Sequence, residues 1–245
     1  MSNYIVLNID FEYQGQQQVI SPVLIQDAAD TILVDCGYPD FLSKIEEAAN
    51  RHHISVASIT KLILTHHDMD HMGSLAALKR AYPQLTVISH ELEAPYIAGQ
   101  RKSLRLEQVE STWGELRAED KPHVEQLMLL LQSIEPAAVD QTVRHQERLP
   151  LCSGIEIIHT PGHMPGHMSL YLPASKTLIS GDAVVIQEGG LAIANPEFTL
   201  DLEEAVRSVR RLLDYNIEHL ICYHGGLYQG NVKQALRALL QAYDS

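Results

Sequence analysis

Between positions 65 and 73 the chain reads THHDMDHMG, which sets His66, Asp68, Asp70 and His71 within six residues. Imidazoles and carboxylates packed that densely repel one another or stay unsatisfied unless a cation joins them. Both are good donors to a divalent metal ion, and such an ion activates water and polarises a carbonyl or phosphoryl oxygen. The chemistry indicated is metal-assisted hydrolysis; the alternative for this stretch alone is a solvated polar turn. Three later segments repeat the theme. Residues 160–167, TPGHMPGH, put His163 in a loop fixed by proline and glycine. Residues 180–182, SGD, supply Asp182, and residues 223–226, YHGG, supply His224 on a glycine-rich turn. A lone histidine or aspartate of this kind is more often structural, but the four segments in series point to one shared site.

The elements that must position these residues alternate between strand and helix. Apolar or β-branched runs predict strands at 4–9, 19–25, 31–34, 61–64, 85–89, 139–143, 155–158, 168–172, 177–179 and 219–222. Helical spacing covers 41–52, with Asp40 as N-cap, and then 75–82, 202–215 and 232–243. The dense motif follows strand 61–64, His163 follows 155–158, Asp182 follows 177–179 and His224 follows 219–222. Each candidate thus sits at a strand end, where a rigid scaffold holds side chains within reach of solvent. Residues 91–132 break the pattern: the stretch is polar, reads as mostly helical and carries the only tryptophan, Trp113. It is expected to be either plain surface helix or a lid over the site. No linker rich in glycine, serine or proline divides the chain, so residues 1–245 are expected to form a single α/β domain.

Composition narrows the function classes. With 31 acidic and 18 basic residues the net charge is −13, which disfavours nucleic acid as a partner and leaves a small-molecule substrate. The three cysteines, Cys36, Cys152 and Cys222, show no CxxC spacing and suggest no disulfide framework. The first residues, MSNYIVLNIDFEYQG, lack the basic and apolar regions of a signal peptide. No apolar run approaches the ~18 residues of a membrane span. A cytoplasmic setting is the expectation; oligomeric state has no signature here.

The ordered motifs resemble the metallo-β-lactamase superfamily, hydrolases with an αββα sandwich and an HxHxDH motif followed by later His, Asp and His ligands. The resemblance runs from Asp35 to His224. It implies that His66, Asp68 and His163 hold a first divalent ion, that Asp70, His71 and His224 hold a second, and that Asp182 bridges them. It further implies a hydroxide shared by the two ions as nucleophile, with Asp70 as the residue that handles its proton. Asp35 is expected to orient a ligand imidazole, His167 to orient a ligand or close its loop, and Cys222 to be a buried structural thiol. His67 should either support the ligands or lie exposed.

One position departs from the family pattern. Asp68 stands where the second histidine is usual, giving HxDxDH. An anionic oxygen donor there adds negative charge and favours harder ions such as manganese or iron, which stand as alternatives although zinc remains the first expectation. A mononuclear site built mainly on Asp70, His71 and His224 is also open. For substrate, only 21 residues follow His224, too few for the helical domain that carries the glutathione site in glyoxalase II. Val185 stands where many lactonases of the family have tyrosine. A small ester, thioester or lactone remains the expected substrate, with a phosphodiester as alternative. A metal-binding sensor without turnover is the alternative of another class.

Overall fold

In the computed structural model, which describes residues 3–13 and 15–243, two six-stranded sheets face each other. Their strands are β1 (Asn3–Val6), β2 (Ile9–Tyr13), β3 (Gln16–Ile20), β4 (Val23–Gln26), β5 (Thr31–Val34), β6 (Lys61–Leu64), β7 (Thr86–His90) and β8 (Gln141–Val143) in the first half. The second half supplies β9 (Arg148–Leu149), β10 (Ile155–His159), β11 (Met168–Leu172), β12 (Thr177–Ile179), β13 (Val185–Gln187), β14 (Gly190–Ala192), β15 (His219–Cys222) and β16 (Gly226–Leu227). One sheet has the order β1-β4-β5-β6-β7-β8 and the other β16-β15-β12-β11-β10-β9, while β2-β3 and β13-β14 are separate hairpins. The helices are α1 (Leu42–Asn50), α2 (Met69–Met72), α3 (Leu75–Ala81), α4 (Ala94–Ile97), α5 (Leu104–Thr112), α6 (Lys121–Gln132), α7 (Leu202–Leu212) and α8 (Val232–Gln241).

Strand alternation explains the layering. In β4 and β5 the residues Val23, Ile25, Ile32 and Val34 join a core with Ile155, Ile157, Leu170 and Ile179 of the other sheet. Their neighbours Leu24 and Leu33 point the other way, with Leu62 and Leu64, onto Ile45 and Ala48 of α1 and Leu75 and Leu78 of α3. On the far side, Leu178, Leu220 and Cys222 pack against Val209 and Leu212 of α7 and Leu236 and Leu240 of α8. Strands apolar on both faces need cover on both, and the result is an αββα sandwich. It is the fold class expected from the sequence.

The topology also decides where the chemistry can sit. β5, β6, β7 and β8 run parallel. β12 and β15 are parallel, and β10 shares their direction because it is antiparallel to β11, which is antiparallel to β12. Within each sheet, then, the C-terminal ends of the site-bearing strands gather at one edge. Side chains launched from them can converge although they are up to about 160 positions apart in the chain.

Four expectations change. The apolar run 19–25 is two strands, because Ser21-Pro22 separates β3 from β4, and a proline has no N–H for the ladder. The run 4–9 likewise ends at Val6, and Ile9 opens the β2–β3 hairpin. Asp40 does not cap α1: Phe41 is the N-cap, no side chain caps it, and Asp40 lies at φ +66°. The β13–β14 hairpin was not expected; its strands, VIQ and GLA, are too short to show a two-residue alternation. Among the described residues no helix is long and apolar enough to cross a membrane.

Candidate active site

The loop after β6 carries the dense motif into the short helix α2. Gly73 follows that helix and admits no side chain: a Cβ there would lie 2.3 Å from the Pro39 nitrogen and 2.4 Å from the Met69 carbonyl oxygen. His66, Asp68 and His71 are buried, and Asp70 is half-buried. All seven candidate residues meet in one cluster. His66, Asp68 and His163 offer donor atoms within 4.8 Å of one another, as do His66, His71 and Asp182, and Asp70, His71 and His224.

His71, His66 and His167 are each aimed by what a second ring nitrogen touches. Asp35 sits at the end of β5 at φ +59°, a left-handed conformation that aspartate tolerates. Its carboxylate accepts from the Thr65 N–H at 2.8 Å and the Thr65 hydroxyl at 2.8 Å, and it meets His71 Nδ1 at 2.9 Å. That contact turns His71 Nε2 inward. Thr65 Oγ1 lies 3.0 Å from His66 Nδ1 and does the same for His66. His167 Nε2 accepts the Asp182 N–H at 2.9 Å, so its ring proton is on Nδ1, facing the Thr160 carbonyl at 3.1 Å. Burial and the nearby His163 lower its pKa to about 3, keeping it neutral. Gly181, at φ +54°, allows that approach: a Cβ there would stand 2.7 Å from His167 Nε2. Tyr223 donates its hydroxyl proton to the Asp70 carbonyl.

The inward atoms do not satisfy one another. Among the described residues four buried side-chain atoms lack a hydrogen-bond partner: His66 Nε2, His71 Nε2, Asp182 Oδ1 and His163 Nδ1. The first three converge, with His71 Nε2 at 3.3 Å from Asp182 Oδ1. Buried polar atoms are otherwise almost always paired. Three unpaired atoms facing one another, two nitrogens and a carboxylate oxygen, are a donor set that fits a divalent cation. The charges agree. Burial would raise the Asp182 carboxyl, yet His71 and His224 outweigh it and hold Asp182 well below the usual range. Burial would lower His224, but Asp182 and Asp70 push it up to about 10.

Asp68 corrects an expectation. Its charge is not left bare, because Arg105 of α5 forks onto it, Nε to Oδ1 at 3.1 Å and Nη2 to Oδ2 at 2.6 Å. Burial alone would raise the Asp68 carboxyl; the guanidinium, with His163 and His66, holds it well below its ordinary value. The added carboxylate and the arginine largely cancel, so the net charge at this position resembles that of a neutral imidazole. His67 is buried rather than exposed, bonded through Nδ1 to Glu93 and stacked on Tyr96 with centroids 4.6 Å apart. Glu93 also accepts the Gly166 N–H at 2.8 Å, tying the insertion to the loop that carries His163. Sequence reading missed Arg105, Glu93 and Tyr223. Glu93 had a signal, a carboxylate just past a strand end; Arg105 had only the unbalanced charge of HxDxDH.

Comparison with known proteins agrees with the geometry. A family model described as "Metallo-beta-lactamase superfamily" matches residues 17–224. The Bacillus subtilis (strain 168) protein named "Probable metallo-hydrolase YflN" is 28% identical over 205 residues, covering 79% of this chain and 75% of that one. A hydroxyacylglutathione hydrolase of Mesorhizobium japonicum is 29% identical over 126 residues, 51% of this chain but only 34% of that protein. A solved metallo-beta-lactamase family protein from Thermus thermophilus superposes with a TM-score of 0.71 at 21% identity, covering 98% of this chain and 79% of that one. The chain belongs to the metallo-beta-lactamase superfamily and is a hydrolase of that fold.

Proposed function

We propose that the chain hydrolyses a small ester, thioester or lactone, with divalent metal ions held by the seven clustered residues. The observation that carries the reading is the convergence of unpartnered His66 Nε2, His71 Nε2 and Asp182 Oδ1. His66, Asp68 and His163 would hold a first ion, Asp70, His71 and His224 a second, and Asp182 would serve both. Zinc suits this mixed set of imidazoles and carboxylates, with manganese or iron as alternatives. Ions bound there supply Lewis acidity, polarising a scissile carbonyl and making water a nucleophile at neutral pH.

The protein's own contribution is positional. Asp35 and Thr65 fix His71 and His66, and His167 fixes the backbone of Asp182. Asp70 lies at the open side with Oδ2 3.2 Å from His224 Nε2. Its carboxylate is suited to take a proton from the attacking water and return it to the leaving oxygen or sulfur. Tyr223 holds the Asp70 backbone in place for that transfer. Half the chain matches a hydroxyacylglutathione hydrolase, a name that denotes cleavage of a thioester, which favours acyl over phosphoryl substrates. The three free, buried cysteines suit a reducing, cytoplasmic setting.

Purified protein loaded with zinc or manganese should turn over at least one member of a lactone, thioester and ester panel, and chelation or Asp182→Ala should abolish that turnover. Turnover confined to phosphodiesters would replace this reading by the phosphodiesterase one. Stoichiometric metal with no turnover on any panel would make the chain a metal-binding sensor.

A further inference from the structure

We propose that Arg105 is a built-in competitor for the first metal position: its guanidinium and a divalent ion contend for the same Asp68 carboxylate, so this position fills after the second and more weakly. The inference rests on the metal reading above and concerns what the helical insertion does to it.

The guanidinium is placed where an ion must act. Its fork engages both Asp68 oxygens, and Nη2 also lies 3.4 Å from His163 Nε2. His163 Nε2 is in turn 3.0 Å from Asp68 Oδ2 and belongs to the same donor group. Two of that group's three residues therefore face a fixed positive charge. Arg105 is only 5% exposed, so solvent screens little of it. Nor is it free to swing. Nη1 donates to Gln108 Oε1 at 2.5 Å one turn along α5, and Gln108 Nε2 donates to the Glu197 carbonyl at 2.9 Å. The Phe198 ring lies 5.2 Å from the guanidinium carbon. At the start of the helix the Leu104 N–H faces His67 Nε2 at 3.4 Å. The second group, Asp70, His71 and His224, draws its support from Asp35 and Tyr223, and among the described residues it forms no ion pair with an arginine or lysine.

The opposing possibility is that Arg105 merely orients Asp68, as hydrogen-bonded partners of metal ligands commonly do. Removing such a partner weakens metal binding, whereas removing a competing cation strengthens it. Sign alone separates the two.

The experiment titrates Zn²⁺, and separately Mn²⁺, against a calibrated chelator in wild type, Arg105→Met and Arg105→Gln, with near-ultraviolet dichroism to confirm folding. The first equivalent should bind alike in all three proteins. The second should bind at least about tenfold tighter in both variants. Arg105→Gln keeps a polar group at the position and covers the case in which the apolar variant misfolds. An unchanged or weakened second equivalent in the folded variants overturns the competitor role. The metal reading fails separately, if wild type binds no equivalent that His71→Ala removes.

Discussion

The two ends of the cluster differ in what backs them and in what they face. At one end His66, Asp68 and His163 are buried beneath α5 and answer to a cation, Arg105. At the other, Asp70 and His224 have side chains 15% and 36% exposed, and the nearest fixed support is anionic or phenolic, from Asp35 and Tyr223. An ion at the open end gains an electrostatic partner through Asp35 and His71, while an ion at the closed end meets a positive charge already in place. Substrate and water can approach only where the donors are exposed. The open end is therefore where the proton exchange proposed for Asp70 would take place, and the closed end is where the insertion would tune the site.

The strongest test of that contrast removes one proposed ligand from each end. His71→Ala should cut turnover on the order of a thousandfold or more, since a Lewis acid contributes several kcal/mol to the barrier. Asp68→Asn should cost distinctly less, because it removes a donor already shared with Arg105. Steady-state kinetics with metal in excess decides this, and equal losses would erase the distinction between the ends.

Next in size is the pair that anchors the closed end. His67 and Glu93 are both buried, and Glu93 also receives the N–H groups of His67, at 3.0 Å, and Gly166. Glu93→Ala leaves buried donors and an imidazole unpaired, a loss of about 3–5 kcal/mol. Denaturant unfolding should register it. Among the described residues the buried pairs of the open end, His71 with Asp35 and with Asp182, all involve a proposed ligand, so Asp35→Asn should act on metal rather than on folding. Its expected effect is a loss of about 10–100-fold in affinity for the first equivalent, read by chelator competition.

The strands and the seven clustering residues were legible because both rest on local pattern, whereas the sandwich itself came only with the family resemblance those motifs carry. β5, β6, β11, β12 and β15 kept their expected bounds, since each is a short apolar run closed by a turn. Strand-end histidines and aspartates stood out for the same reason. Arg105 did not, because its meaning depends on α5 folding back over a loop 37 positions earlier in the chain. Nothing in its own helix marks it: α5 reads LRLEQVEST, a mostly polar segment in which an arginine passes for surface. Asp40 misled for a related reason. Its side chain suits an N-cap, but the turn before α1 is set by tertiary contacts, with Ser74 Oγ accepting the Phe41 N–H at 3.0 Å.

The smallest effect concerns how acid reaches the closed end. His90, at the end of β7, stacks on His159 at the end of β10 with centroids 4.3 Å apart and planes 6° from parallel. His159 Nε2 in turn holds the Pro165 carbonyl at 2.8 Å, in the loop of His163. Burial and the His159 ring lower the His90 pKa to about 4 from an ordinary 6.5. Its Nδ1 also accepts the Leu92 N–H at 3.3 Å, which a protonated ring could not do. Between those two pH values the unfolded chain binds the proton that the folded chain refuses. Stability from this group is thus complete above 6.5 and is lost as pH falls towards 4, with a slope of at most about 1.4 kcal/mol per pH unit. His90→Phe keeps a stacking ring without a titrating nitrogen. Chemical unfolding of metal-free protein at pH 7, 6 and 5 should therefore show a shallower decline in the variant. A parallel decline would mean that the acid sensitivity lies elsewhere, and that the closed end is no more proton-sensitive through this stack than the open one.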